Sequence, residues 1–264
     1  MDSLLHRLPA KAGTRESLRK GFARRLTGWL KLADLLVYPS FCELCRCFLE
    51  KPGEKVICRE CLSQLRPTLS AHCEVCGRFF EGAGESHLCG ACLRRTPPFA
   101  RHRSYTKYEG MAKDVLLLFK YRGNEILGRH LAGLIAGALG GEDDLWDGVE
   151  AVIPVPLHPK KLRKRGYNQA AVLARQLAGL KGVSFLGNRL IKVRNNPAQT
   201  SLDAAGREAN VRGAYLLRKP GSVNGRIVLL VDDVFTTGAT IGECSRTLVR
   251  AGAKEVRAVT FAQA

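Results

Sequence analysis

The sequence predicts an α/β protein, a parallel sheet with helices on both faces, preceded by a small module folded around cysteines. Three observations carry that expectation. From about residue 100 onward, short apolar strands alternate with helical stretches. Nine of the ten cysteines fall between Cys42 and Cys92. The apolar run Val228–Val231 ends in two adjacent acids and a loop of threonine and glycine.

Residues 1–38 read as a basic tail followed by an amphipathic helix. Eight basic and three acidic side chains occupy residues 1–41. Phe22, Leu26, Trp29, Leu30, Leu36 and Val37 recur at helical spacing between about Gly21 and Tyr38. Residues 39–95 form the cysteine module. Eight cysteines make four CxxC pairs, Cys42/Cys45, Cys58/Cys61, Cys73/Cys76 and Cys89/Cys92, and the last two pairs repeat the first two with a shift of 31 residues. Each unit reads CxxC-x12-CxxC. Two thiolates from one tight turn meet one Zn²⁺, and two such turns complete a tetrahedral, closed, structural site. Equal spacing inside each unit favours two consecutive ribbons over a crossed pairing. A disulfide framework would need a secretory context, and the N-terminus has no uninterrupted apolar h-region. A cytoplasmic location is expected accordingly. Cys47 has no repeat partner and reads as a bystander; Cys244 reads as a small hydrophobe on a helix.

Thr96-Pro97-Pro98 marks a linker, and residues 100–264 form the α/β domain. Met111–Tyr121 and Ile126–Leu139 read as helices, and Ala151–Pro156 as a short strand. Asn168–Leu180 reads as a helix and Arg226–Val231 as a buried strand. Thr240–Arg250 reads as a helix and Glu255–Phe261 as the last strand.

Composition sets the outer bounds. The 264 residues are 45% hydrophobic and 25% charged, ordinary values for a globular chain. Apolar runs such as Leu131–Leu139 hold nine residues, far short of the roughly 20 that span a bilayer. The charge is not ordinary. Forty-two Lys and Arg against 24 Asp and Glu give +18, which points to phosphate-rich partners. From Ala151 to Leu202 there are ten basic residues and no acid, with Lys160, Lys161, Arg163, Lys164 and Arg165 clustered.

The stretch Val228–Thr240, VLLVDDVFTTGAT, carries the most specific chemistry. A buried strand brings Asp232 and Asp233 to its carboxyl end. Thr236, Thr237, Gly238, Ala239 and Thr240 then open a helix, whose free N–H groups and partial positive charge suit a phosphate. Gly238 allows a tight turn and close approach. Carboxylates repel that phosphate but accept hydrogen bonds from ribose hydroxyls. No GxxxxGK[ST] loop and no GxGxxG after a strand competes with this reading.

This array resembles the phosphoribosyl-pyrophosphate (PRPP) motif of type I phosphoribosyltransferases. In such enzymes a second loop receives pyrophosphate and a mobile loop covers the site. The resemblance implies that Pro156, Leu157, Lys160, Arg163 and Arg165 form the basic pyrophosphate loop, and that Asn195–Tyr215 supplies the cover. The chain as a whole, over roughly residues 36–264, resembles the ComF family of competence proteins. The double CxxC-x12-CxxC module, Lys120-Tyr121-Arg122-Gly123, PVPLHP, RGYNQ, PAQTSL, R-x-x-N-V and VDDVFTTGAT occur in that family's order. That resemblance implies a double zinc ribbon before a type I phosphoribosyltransferase fold. It further implies PRPP or ribose 5-phosphate as ligand, with magnesium accompanying PRPP. Single-stranded DNA and a competence helicase or other DNA-uptake protein are the implied partners, and natural transformation the process. The alternative is an active phosphoribosyltransferase acting on a base or amine. No catalytic acid or base is identified; His158 is singled out only by its position beside the basic cluster. Aromatic residues make up 7% of the chain, without the interleaving of a stacking platform.

Overall fold

The computed structural model describes residues 41–49, 56–82, 84–122, 125–195 and 204–264. The expected tail and amphipathic helix of residues 1–38 lie outside the described residues, as does the PAQTSL motif. The chain divides into two units, Met1–Cys58 and Arg59–Ala264.

In the first unit, Phe41 and Phe48 form an antiparallel bridge, their rings edge to face at 5.9 Å. Between them the Cys42 N–H donates to the Cys47 carbonyl at 2.8 Å and the Arg46 N–H to the Cys42 carbonyl at 2.9 Å. The second unit repeats this knuckle 31 residues on. His72 bridges Phe79, the Cys73 N–H donates to the Arg78 carbonyl and the Gly77 N–H to the Cys73 carbonyl, both at 2.8 Å. The sequence duplication is therefore a duplication of backbone. Both turns need a left-handed residue, Arg46 at φ 65° and Gly77 at φ 65°. A Cβ on Gly77 would stand 2.4 Å from the His102 carbonyl oxygen. Gly77→Ala is thus expected to cost at least about 2 kcal/mol, read as a lower denaturant midpoint. Arg46→Gly is expected to stabilise its knuckle by about 1 kcal/mol through relief of the same backbone strain.

After the helices α1 (Arg59–Ser63) and α2 (Gly90–Arg94), the second unit builds its sheet. In order follow β1 (Arg101–Lys107), α3 (Gly110–Arg122), α4 (Glu125–Leu139), α5 (Asp143–Trp146), β2 (Val149–Pro154), α6 (Pro159–Arg165) and α7 (Gln169–Lys181). Next come β3 (Ser184–Phe185), β4 (Leu190–Lys192), α8 (Ala204–Val211), β5 (Tyr215–Leu217), β6 (Ile227–Phe235), α9 (Ala239–Arg250) and β7 (Glu255–Gln263). The main sheet has the order β1-β7-β6-β2-β3, every pair parallel. The pair β4–β5 is a separate antiparallel ribbon.

Strands buried on both faces must be apolar throughout. Val228, Leu229, Leu230 and Val231 in β6 are all fully buried. Val228 and Leu230 join Ile153, Ala258, Cys244 of α9 and the second ribbon's four cysteines in one core. By the two-residue strand period, Leu229 and Val231 face the opposite layer, where α4 and α7 pack on the sheet. The second ribbon also covers the sheet's edge. The His102 N–H donates to the Val75 carbonyl at 2.8 Å and the Thr68 N–H to the Tyr105 carbonyl at 3.0 Å. Backbone groups that an exposed edge would leave open are thereby paired.

Four expectations need correction. The strand expected over Arg226–Val231 continues to Phe235, because β7 runs beside it and pairs Asp232 with Thr260 and Phe235 with Gln263. The strand expected over Ala151–Pro156 is Val149–Pro154, since prolines 154 and 156 lack the N–H that a ladder needs. The basic cluster expected as a loop is the helix α6. Pro159 suits its first turn, and the His158 side chain accepts from the Lys160 N–H at 3.2 Å. Part of the expected cover is ordered secondary structure: Ala204–Val211 is helix and Tyr215 begins β5. Residues 196–203 of that segment lie outside the described residues.

Candidate functional site

The eight paired cysteines gather in consecutive order. One group holds Cys42, Cys45, Cys58 and Cys61, the other Cys73, Cys76, Cys89 and Cys92, and within each group the sulfurs lie within 4.8 Å of one another. Four sulfurs at about 2.3 Å from one tetrahedral zinc would stand about 3.8 Å apart. Cys45 and Cys58 Sγ are separated by 3.6 Å, and Cys76 and Cys89 Sγ by 3.7 Å. Backbone donors repeat as well: the Cys58 N–H points to Cys42 Sγ and the Cys89 N–H to Cys73 Sγ, both at 3.4 Å. No disulfide joins any of the ten cysteines, all of them among the described residues.

The electrostatics of the second group call for a cation. Burial pushes the Cys73 thiol up, but N–H groups of Cys89, Cys76 and Val75 outweigh it and bring the pKa to about 6. Burial, joined by the Cys73 charge, pushes Cys76 up to about 11. Burial and the Cys76 charge push Cys92 higher still. Four thiolates cannot share this dry space unless a divalent ion neutralises them. The residues fit structural zinc, which when bound cross-links two turns of each ribbon. Cys47 is exposed and outside both groups.

The second constellation sits at the carboxyl ends of β2 and β6, where open parallel sheets place ligands. Asp232 and Asp233 lie inside β6, half-buried rather than at an exposed end. Each carboxylate accepts from the next backbone N–H: Asp233 N–H to Asp232 Oδ1 at 2.9 Å, Val234 N–H to Asp233 Oδ1 at 2.9 Å. Burial and the Asp233 charge push the Asp232 carboxyl well above the usual range, against the pull of Lys192. Beyond Phe235 the chain turns at Gly238, φ 76°, where a Cβ would stand 2.7 Å from Phe235 Cζ. No side chain caps the N-terminus of α9, and Ala239 receives only a 3.4 Å contact from its N–H to Thr237 Oγ1. First-turn N–H groups of a helix that lacks a cap are a ready anion site. The Thr240 hydroxyl is directed to the Tyr215 phenol.

Pairing of β2 with β6 brings the second expected set alongside. Pro154 pairs with Val231, and the Val155 N–H donates to the Val231 carbonyl at 2.9 Å. Asn168 Nδ2 holds the Val155 carbonyl at 3.0 Å, so Pro156 and Leu157 start from a fixed point. Lys160 and Arg163 are exposed on α6, whereas Lys161 and Arg165 are half-buried. Arg165 Nη1 donates to Gln169 Oε1 at 2.8 Å, which ties it to the start of α7. His158 is a helix cap; slight burial and the charges of Lys160 and Lys192 hold its pKa low, consistent with an accepting ring nitrogen.

Lys192 on β4 was not singled out by sequence. Its amine lies over the Tyr215 ring at 5.1 Å, and burial with the Lys161 charge lowers its pKa while Asp232 opposes them. A lone lysine in the strand Leu190–Lys192 was the available signal. In the fold it joins Lys161 in a cationic wall facing the acid pair.

Residues 162–264 match the phosphoribosyl transferase domain family, and residues 33–99 match the double zinc ribbon domain family. The chain is similar to competence protein F of Haemophilus influenzae, 38% identical over 44% of this chain and 51% of that protein. It is similar to DNA utilization protein YhgH of Salmonella typhi, 34% identical over 41% of this chain and 47% of that protein. It is also similar to competence protein ComFC of Streptococcus pneumoniae, 28% identical over 59% of this chain and 65% of that protein. The chain thus spans about half the length of the first two of these relatives. A parallel sheet carrying the acid pair and uncapped helix, preceded by two four-cysteine knuckles, agrees with these matches: a double zinc ribbon domain followed by a phosphoribosyl transferase domain, in a chain similar to proteins named competence protein F and competence protein ComFC.

Proposed function

We propose that this protein binds PRPP or ribose 5-phosphate at the carboxyl ends of β2 and β6, and acts in the cytoplasm in handling single-stranded DNA during natural transformation. One observation carries the ligand reading: the Asp232–Asp233 pair leads through a tight turn into the uncapped start of α9. In this reading the carboxylates accept hydrogen bonds from the ribose hydroxyls. The backbone N–H groups around Thr236, Thr237, Gly238, Ala239 and Thr240 donate to the 5′-phosphate. Pro156 and Leu157, with Lys160, Arg163 and Lys192, face the pyrophosphate. Magnesium, accompanying PRPP, would offset part of its charge. The relatives' names, competence protein and DNA utilization protein, support the DNA-handling part. No helix of the described residues is long and apolar enough to cross a membrane.

The DNA part is tested through salt dependence. Each neutralised phosphate of a single strand contributes a slope of about −0.7 in log affinity against log salt. Replacing Lys160, Arg163 and Lys164, all exposed on α6, with Gln is expected to reduce the slope by about 1–2, measured by fluorescence anisotropy with labelled oligonucleotides. An unchanged slope removes α6 from the DNA path; absence of binding at low salt removes DNA from the proposal.

A further inference from the structure

A cleft of about 380 Å³ lies along the C-terminal half of α9. Four arginines line it: Arg95 after α2, Arg212 in the turn before β5, and Arg246 and Arg250 on α9. The acid among its lining residues is Glu243, which is 3% exposed. That carboxylate is already engaged, accepting from the Gly213 N–H at 2.7 Å and from Arg246 Nε at 2.8 Å. Burial pushes its pKa up, but the Gly213 N–H and the charges of Arg246 and Arg250 outweigh burial and hold it below the usual carboxylate range. Glu243 therefore stays ionised and fixes the Arg246 guanidinium, yet one carboxylate cannot neutralise four cations. The turn that carries Arg212 is pinned as well, with Arg194 Nη1 donating to the Arg212 carbonyl at 3.2 Å.

Arg250 stands four residues beyond Arg246, about 6 Å along the helix axis. Like charges at that spacing destabilise a helix, and an anion between them relieves the repulsion. Guanidinium forks match phosphate oxygens two at a time. Among the described residues no aromatic side chain lines the cleft, so a base finds no stacking platform and recognition falls to phosphate. The cleft is separate from the phosphoribosyl site. From Ala239 at the start of α9 to Arg246 is about 10 Å of helix, and neither the acid pair nor α6 contributes a lining residue.

We propose that this four-arginine cleft binds consecutive phosphate groups of a linear polyanion, taken either from the backbone of a single nucleic-acid strand or from a free polyphosphate. Arg246, fixed by Glu243, and Arg250 one turn on take successive phosphates, and Arg95 and Arg212 close on them from neighbouring segments. For a strand, the cleft is a second point of attachment besides α6. The strand as source rests on the DNA-handling reading; the phosphate chemistry of the cleft does not.

The test uses the full chain and two double variants that remove equal charge, Arg212→Gln/Arg250→Gln in the cleft and Arg218→Gln/Lys254→Gln outside it. All four residues are exposed, so both variants are expected to fold, and the Glu243–Arg246 pair is left intact. A labelled oligonucleotide read by fluorescence anisotropy probes the strand, and calorimetric titration of tripolyphosphate without magnesium probes the free chain. The cleft variant is expected to show a salt slope smaller by about 1.4, for two lost phosphate contacts, or to bind one tripolyphosphate fewer per chain. PRPP affinity is expected to stay within about twofold, since the substituted residues are remote from the acid pair. A change in slope alone assigns the strand, loss of tripolyphosphate alone assigns the free chain, and both losses assign a site that accepts either. If the cleft variant matches the parent in both arms, or the outside variant loses as much, the cleft assignment is overturned; a slope that still falls with the α6 substitutions leaves the DNA reading standing. If the parent binds no oligonucleotide at low salt but the cleft variant loses tripolyphosphate, the DNA reading falls and the cleft assignment stands.

Discussion

Chelating zinc from the second ribbon is expected to unfold that ribbon and to weaken ribose 5-phosphate binding on the order of tenfold or more. The first effect follows from energetics. Structural zinc contributes on the order of 10–16 kcal/mol of apparent binding energy in small folds, and the Cys73–Cys92 group has little core apart from its own sulfurs and the sheet face it covers. The second effect follows from a chain of contacts. The Cys76 carbonyl meets His102 Nδ1 at 2.8 Å, and the His102 ring stacks on Phe235 at 3.9 Å. Phe235 sits directly before Thr236 and under Gly238. His102 Nε2 is held by Thr260 Oγ1 at 3.0 Å, and burial keeps the ring neutral, with a pKa lowered to about 3. Release of the ribbon removes the support on which the turn between β6 and α9 is built. Coupling of this kind between sites typically amounts to 5–150-fold. Ligand titration before chelation, after it, and after zinc is restored checks the effect. An affinity that does not change when the metal is removed would break the proposed link.

Asp232→Asn is expected to raise the stability of the ligand-free protein while lowering its affinity for phosphoribosyl ligands. Burial and the neighbouring Asp233 raise the Asp232 pKa in the folded state. Between the unfolded value, near 3.9, and the raised value, the native state holds more protons than the unfolded chain, so stability falls as pH rises through that window. The cost is present above the raised pKa and absent below about pH 4. The amide removes the buried charge, and its stabilising effect should therefore grow with pH and vanish in acid. Thermal unfolding of parent and variant between pH 4 and pH 8 reads this directly. Retention of a destabilising acid is expected where function needs it. A variant equally stable across the range, or destabilised at pH 8, would show that Lys192 and the backbone donor already satisfy the charge.

Parts of this architecture were legible because local chemistry decides them. Val228–Val231 is apolar without interruption, and in the fold it is buried on both faces. The four CxxC pairs recur at one spacing, and the knuckles recur with them. Elements decided by distant partners stayed hidden. Arg101–Lys107 reads RHRSYTK, with no apolar run, yet it is a strand with a buried interior. Its polar groups are satisfied from elsewhere: Arg103 Nε donates to Glu142 Oε2 at 2.9 Å, and His102 bonds Cys76 and Thr260. The basic run Lys160–Arg165 was expected as a loop because the resemblance to type I phosphoribosyltransferases implies a pyrophosphate loop there. A proline start and a side-chain cap made it a helix, with three of its five basic side chains, Lys160, Arg163 and Lys164, exposed to solvent. Lys192 gave almost no local signal, since it matters through strands far away in sequence. The domain boundaries 1–38, 39–95 and 100–264 remain proposals resting on composition and motif.

The most direct measurement is calorimetric titration of PRPP with magnesium into the intact protein and into Asp232→Asn/Asp233→Asn. The parent is expected to bind one PRPP per chain, and the double variant to lose about a hundredfold or more in affinity, since two carboxylate hydrogen bonds at about 1.5–3 kcal/mol each are removed from a protein that still unfolds cooperatively. A double variant that binds PRPP like the parent, or a parent that binds none, would contradict a phosphoribosyl site at the end of β6.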